Sequence, residues 1–249
     1  DEIDVCPVQI QGPLSEDLMA KLAGEELREV PYYGILETKV GGADCVISQT
    51  GFTGEKGYEI YVRDAHENAE KMWNAVLEAG EEFGLMVIAP AHHRRIAAGI
   101  LSWGQDLDHE TSPFQVNLSY QVPRNKAADY IGKEELEKQR AMMDDGKAPF
   151  KMKMVGLTLG GKEITDYAPD FWIVTNTDED EVGYVTSPWW SPELETNIAL
   201  AWVPWEASEV GTKYMVKLPD EYAESPGVAV NAEIVDVPFR ESVNPNKRE

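Results

Sequence analysis

Beyond about Lys151 the chain reads as a series of short apolar stretches, at 154–159, 171–174, 182–186, 197–203, 213–217 and 228–235, separated by turns. Six short strands in series must satisfy their edges somehow, and a small antiparallel β-barrel or sandwich is the expected result. This constrains the fold more than any other feature of the sequence.

The first half is mixed. Residues 5–10 alternate as a strand does, Gly12-Pro13 makes a turn, and Leu14, Leu18, Met19 and Leu22 then fall at helical spacing before Gly24, which suits a helix end. Two strands, 34–40 and 44–49, flank the turn Gly41-Gly42, and a third is expected at 58–62. Asp64 is the expected cap of a helix whose apolar face is Ala69, Met72, Trp73, Val76 and Leu77 and which ends near 80–84. Further helices are expected at 91–101 and, short and exposed, at 133–140. The class is α+β. Residues 1–141 form a region of mixed sheet with helices, the Asp144-Asp145-Gly146-Lys147 run and Pro149 make 142–150 a linker, and 151–249 is the barrel domain. No internal repeat is evident.

With 43% hydrophobic and 9% aromatic residues in 249, the chain has ample material for real cores. Forty-five acidic residues against 22 basic ones leave a formal charge of −23, which repels nucleic-acid phosphates and anionic lipid headgroups. Neither partner is expected. The acid excess is scattered over Glu78, Glu81, Glu82, Asp144, Asp145 and the run 178–181, so a solvated surface suited to high salt is the leading reading. No apolar run approaches the roughly 20 residues that span a bilayer, and the start Asp1-Glu2-Ile3-Asp4 is unlike a basic signal peptide. A soluble, cytoplasmic protein is expected. Cys6 and Cys45 lie in apolar stretches and read as small core residues rather than a bridge.

Familiar catalytic equipment is largely missing. Gly160-Gly161-Lys162 lacks the upstream glycine and the following Ser or Thr of a phosphate loop, and no metal is expected, because His66, His92, His93 and His109 fit no ligand spacing. His92 and His93 point in different directions from adjacent helix positions, and surface roles are expected for them. More informative is the run from Gln49 to Val62, in which Gly51, Gly54 and Gly57 precede a strand carrying Glu59 between Tyr58 and Ile60. Glycines at such spacing bring backbone close to a ligand. An ordinary turn leading to a solvent-facing Glu59 explains the same residues equally well.

This run resembles the T-G-Y-T-G-E-x-G-x-E motif of the glycine-cleavage T-protein family. Other segments resemble the family in the same order: 98–108, ending in Trp103-Gly104-Gln105-Asp106-Leu107-Asp108; Thr111-Ser112-Pro113-Phe114; and Tyr130-Ile131-Gly132-Lys133-Glu134-Glu135-Leu136. The barrel stretch contributes 182–187, Trp190-Ser191-Pro192, 197–201 and Val203-Pro204. The resemblance implies small domains around a folate channel, tetrahydrofolate as cofactor, and a one-carbon transferase. It puts Glu59 on the pterin's amino edge, a task that suits a carboxylate able to accept two parallel N–H bonds, and puts Phe52 and Trp103 beside the folate.

Where the family reads A-R-D-x-L-R-x-E-A-G, this chain has Ala91 for the first Arg, Arg95 for the second and Ala97 for the Glu, so Arg95 is the remaining folate contact from that helix. The doublet Arg94-Arg95 and the segment 186–192, with Trp189-Trp190, look closer to the dimethylsulfoniopropionate demethylase branch. Its small-molecule methyl donor is a sulfonium, for which Trp189 and Trp190 offer aromatic faces. The alternatives are a glycine-cleavage-type aminomethyltransferase and a folate-binding protein without turnover. The family's catalytic Asp falls upstream of Asp1, so no catalytic residue is assigned, and a longer chain, or a partner such as a second copy, is expected to supply the rest.

Overall fold

The computed structural model describes residues 4–89 and 92–240, which fall in two compact units. The first, the sheet unit, is a four-stranded antiparallel sheet in the order β1-β4-β3-β2, formed by β1 (Val5–Gln11), β2 (Ile35–Val40), β3 (Ala43–Ser48) and β4 (Gly57–Arg63). Helices α1 (Ser15–Ala23) and α2 (Ala65–Gly80) cover one face. The core between them holds Ile10, Leu18, Met19, Ile47, Tyr58, Ile60, Val62, Met72 and Val76. Alternation decides the rest: with Tyr58, Ile60 and Val62 turned to the helices, Glu59 and Tyr61 of β4 fall on the other face, and Gln9 lies opposite Glu59.

Gly41 and Gly42 carry the β2–β3 hairpin, with φ of +59° and +81°, the sign that a tight right-twisted hairpin requires. Asp64 precedes α2 as expected but does not cap it with its side chain. Its backbone is left-handed, with φ of +50°, and the Asp4 carboxylate, brought over by β1, accepts from the His66 N–H instead.

The second unit holds residues 92–240 and contains the expected barrel. Strands β5 (Met152–Leu159), β6 (Trp172–Thr175), β7 (Glu181–Ser191), β8 (Thr196–Pro204), β9 (Lys213–Val216) and β10 (Val230–Val235) close in the order β10-β5-β8-β7-β6-β9. Val155, Leu157, Val174, Val185, Ala199, Ala201, Val203 and Val216 fill it. The other face of β5 and β8, with Met154, Ile198, Leu200 and Trp202, is covered by Ile96, Ala97 and Val116. β8 is thus buried on both sides, which explains why it reads as a nearly continuous apolar run.

Two expected helices differ in extent. The helix expected at 91–101 is the short α3 (His92–Ala97), stopped by Gly99, whose φ is +65°; Ala91 lies outside the described residues. The two compact units divide in sequence before His92, and the stretch expected as a linker at 142–150 lies within the second. Residues 92–118 pack on the barrel: Met154 donates its N–H to Gln115, and the Gln115 and Asn117 amides reach the Met152 and Met154 carbonyls. The helix expected at 133–140 is α4 (Lys133–Asp144), which takes the start of that linker into its last turn.

Candidate functional site

In the sheet unit, the face of the sheet away from α1 and α2 carries a carboxylate with defined partners. Glu59 accepts from Gln9 Nε2 at 2.8 Å on one oxygen and from the Tyr61 hydroxyl at 3.0 Å on the other. A carboxylate offers about four acceptor positions. These two bonds leave room on each oxygen for one more N–H. Burial, first, and the bond to Glu59 push the Tyr61 phenol's pKa up, so it remains a donor.

The glycine run folds around Gln11, two residues beyond Gln9 on the same face of β1. A Cβ on Gly51 or Gly57 would come within 2.1 or 2.3 Å of the Gln11 amide, while Thr53 donates to that amide at 2.8 Å. Gly54 supplies the one left-handed backbone in the run, with φ of +77°. Phe52 sits on this loop, partly exposed.

In the barrel unit a buried ion pair ties α3 to β7. Arg95 is 1% exposed, and its Nη1 donates to Asp106 at 2.9 Å and to the Ile100 carbonyl at 3.1 Å. Nη2 donates to Ser187 at 2.8 Å and Gln105 at 3.5 Å, and Nε to His92 Nδ1 at 3.2 Å. All five guanidinium N–H groups are engaged. Asp106 is filled in the same way: the Thr186 and Ser187 hydroxyls each donate at 2.6 Å to Oδ1, and Arg95 and the Ser102 N–H to Oδ2. Thr186 and Ser187 are chain neighbours that would face opposite ways in a regular strand. The register shift between Val185 and Ser187 turns both toward Asp106.

The N–H groups of Arg95 are committed to protein partners, so the folate contact expected of it would have to compete with them. This is a saturated structural tie, of the kind for which removal of one partner costs about 3–5 kcal/mol.

The tryptophans do not assemble into one aromatic box. Trp189 stacks on His92 with ring centroids 5.5 Å apart and meets Tyr167 edge-on at 5.6 Å. Trp103, 61% exposed, meets His109 at 5.0 Å in a separate group. Trp190 is half-buried, and its backbone N–H donates to the Ile164 carbonyl. The surface role expected for His92 is corrected. Its Nδ1 accepts from Arg95, so its proton sits on Nε2, which faces the Tyr167 hydroxyl.

Gln9, Gln11, Tyr61, Asp106 and Ser187 escaped the sequence reading as site residues. Only Asp106 and Ser187 carried a signal, within the Gln105-Asp106 and Thr186-Ser187 segments. Among the described residues, no three His, Cys, Asp or Glu side chains stand together as a metal-ligand set, and no helix is long and apolar enough to cross a membrane.

Two family models match the chain, with boundaries that differ from those of the two compact units. Residues 2–126 match the family described as "GCVT N-terminal domain", and residues 153–240 match "Glycine cleavage T-protein C-terminal barrel domain". The chain belongs to the glycine cleavage T-protein family. An aminomethyltransferase of Geobacillus sp. (strain WCH70) is 31% identical over 239 residues, covering 95% of this chain and 60% of that protein. One from Clostridium botulinum (strain Okra / Type B1) is 33% identical over 222 residues, covering 88% of this chain and 57% of that protein. The chain thus spans less than two thirds of the length of these T-protein relatives. The crystal structure of glycine cleavage system aminomethyltransferase T from Bartonella henselae has the same fold, with a TM-score of 0.71 at 22% identity over 96% of this chain and 61% of that one.

Proposed function

We propose that this protein takes part in tetrahydrofolate-dependent one-carbon transfer of the glycine-cleavage type, with Glu59 holding the amino edge of the pterin. One observation supports the site above others: Glu59 stands on the face of its sheet not covered by α1 and α2, and each of its oxygens has one further acceptor position. A flat heterocycle with adjacent ring and amino N–H groups is the complementary ligand. Phe52, on the loop folded around Gln11, offers an apolar ring beside it.

The aminomethyltransferase relatives favour an aminomethyl donor over the sulfonium donor expected from the Arg94-Arg95 and Trp189-Trp190 segments. Trp189 is already occupied by its stack on His92, which weakens the aromatic-cage argument for a sulfonium. The catalytic group is not assigned to any residue of this chain.

Two measurements on the full-length protein test the proposal. Calorimetric titration should show Glu59→Gln weakening tetrahydrofolate binding by about 2–4 kcal/mol, some 30- to 1000-fold, because the amide turns a donor toward the ligand's own donors. Equal affinities would reject the site. Incubation with tetrahydrofolate should yield a one-carbon-substituted folate from an aminomethylated lipoyl carrier protein. Product from dimethylsulfoniopropionate alone would restore the demethylase reading, and binding without product from either donor would favour a folate-binding protein.

A further inference from the structure

We propose that Gln9 and Tyr61 are positioning residues that hold the Glu59 carboxylate at the angle needed to read two parallel N–H groups, and so set which heterocycles the site accepts. The inference rests on the folate reading of Glu59 and adds the source of its selectivity.

The terminal torsion of a glutamate is broad and roughly two-fold, so a half-exposed carboxylate on an open sheet face ordinarily rotates. Here the β1–β4 register sets Gln9 directly across from Glu59, and strand alternation sets Tyr61 two residues along on the same face. The two donors grip different oxygens, Gln9 Nε2 at 2.8 Å and the Tyr61 hydroxyl at 3.0 Å. Rotation of the carboxylate would break both bonds together. The acceptor positions left over have a fixed spacing and plane, which favours a ring carrying an amino group beside a ring N–H and disfavours one lacking that amino group. Gln11 supports the same arrangement one step along β1: its amide carbonyl accepts from Thr53, and its amide N–H donates to the Thr50 carbonyl at 3.2 Å, so the glycine run is held beside the carboxylate.

A double-mutant cycle on the full-length protein tests the inference, with tetrahydrofolate and its 2-desamino analogue as probes in calorimetric titrations. Tyr61→Phe and Gln9→Ala should each lower tetrahydrofolate affinity by about 5- to 20-fold, the worth of one charge-assisted bond. Each should change affinity for the 2-desamino analogue far less, so that discrimination between the two shrinks. In a Glu59→Gln background neither substitution should have a further effect above about 2-fold, because a positioning residue acts only through the group it positions. Equal losses for both probes, or effects that add to that of Glu59→Gln, would make the two residues plain scaffold and overturn the inference while leaving Glu59 in place. Full affinity in Glu59→Gln alone would instead remove the folate reading and this inference with it. Gln9 is an exposed side chain, so Gln9→Ala keeps the test open should Tyr61→Phe disturb folding.

Discussion

Arg95 and His92 show how a single hydrogen bond assigns a protonation state. The guanidinium Nε can only donate, so His92 Nδ1 must accept, and a proton added there would oppose it. Burial first, and then the Arg95 charge, push the His92 pKa below its ordinary value; burial and Arg94 do the same to His93. With folded pKa values below the unfolded value of about 6.5, the unfolded chain binds protons first on acidification. The stability from these two residues is therefore present above that pH and is lost as pH falls through it. His66 has the opposite sign: its hydrogen bond to Asp4 raises its pKa, so its contribution is present below about 6.5 and is lost as pH rises through the folded value. Unfolding midpoints measured from about pH 8 to pH 5 should fall less steeply with acid in His92→Gln and more steeply in His66→Ala. An unchanged slope in His92→Gln would contradict the lowered pKa of His92.

At the scale of elements, the glycine run and β1 form one unit. Gly51 and Gly57 do not have left-handed backbones; they are required because Gln11 occupies the space a Cβ would fill. The two differ in what a methyl group meets. At Gly51 the three nearest atoms all belong to the end of the Gln11 side chain, whereas at Gly57 the methyl group also comes within 2.6 Å of the Ile10 carbonyl, which belongs to β1. Gly57→Ala should cost about 1–3 kcal/mol, and Gly51→Ala less, since a flexible side chain can move aside and a strand backbone cannot. Adding Gln11→Ala should restore Gly51→Ala but not Gly57→Ala. Denaturant unfolding of the four variants reads this out directly, and rescue of both would place the obstruction wholly in the Gln11 side chain. The glycines were visible in the sequence, but the residue that requires them lies about forty positions away.

For the whole molecule, the dominant quantity is the charge of −23. Surface pairs such as Lys39–Asp44, Arg63–Glu37, Arg124–Asp144 and Lys217–Glu181 engage part of the 22 basic residues, but the 45 acidic residues outnumber them by 23. Exposed pairs contribute little each, so the net repulsion among carboxylates governs the response to salt. Shortening the Debye length from about 10 Å at 0.1 M to 3 Å at 1 M salt should raise the unfolding midpoint. A midpoint unchanged between those concentrations would show that the acidic surface is too dispersed to matter.

The sequence by itself determined the parts whose information is local or periodic. The alternation of β1 and β4, the apolar stripe of α2, the Gly41-Gly42 hairpin and the succession of six barrel strands can all be read along the chain, because burial of one face imposes a period on neighbouring residues. The motif run that carries Glu59 was legible through its resemblance to the T-protein family rather than through periodicity. Only the tertiary structure decided which distant groups meet. Gln9 reaches Glu59 across 50 positions, Ser187 reaches Asp106 across 81, and Arg95 reaches Ser187 across 92. Those pairings depend on strand register and on one bulged residue at Thr186, and a one-residue slip would turn each side chain to the opposite face. Arg95 therefore looked like a ligand contact in the sequence and is a saturated internal tie in the fold, because a residue's type states what it can bond and only its surroundings state whether those bonds are already made.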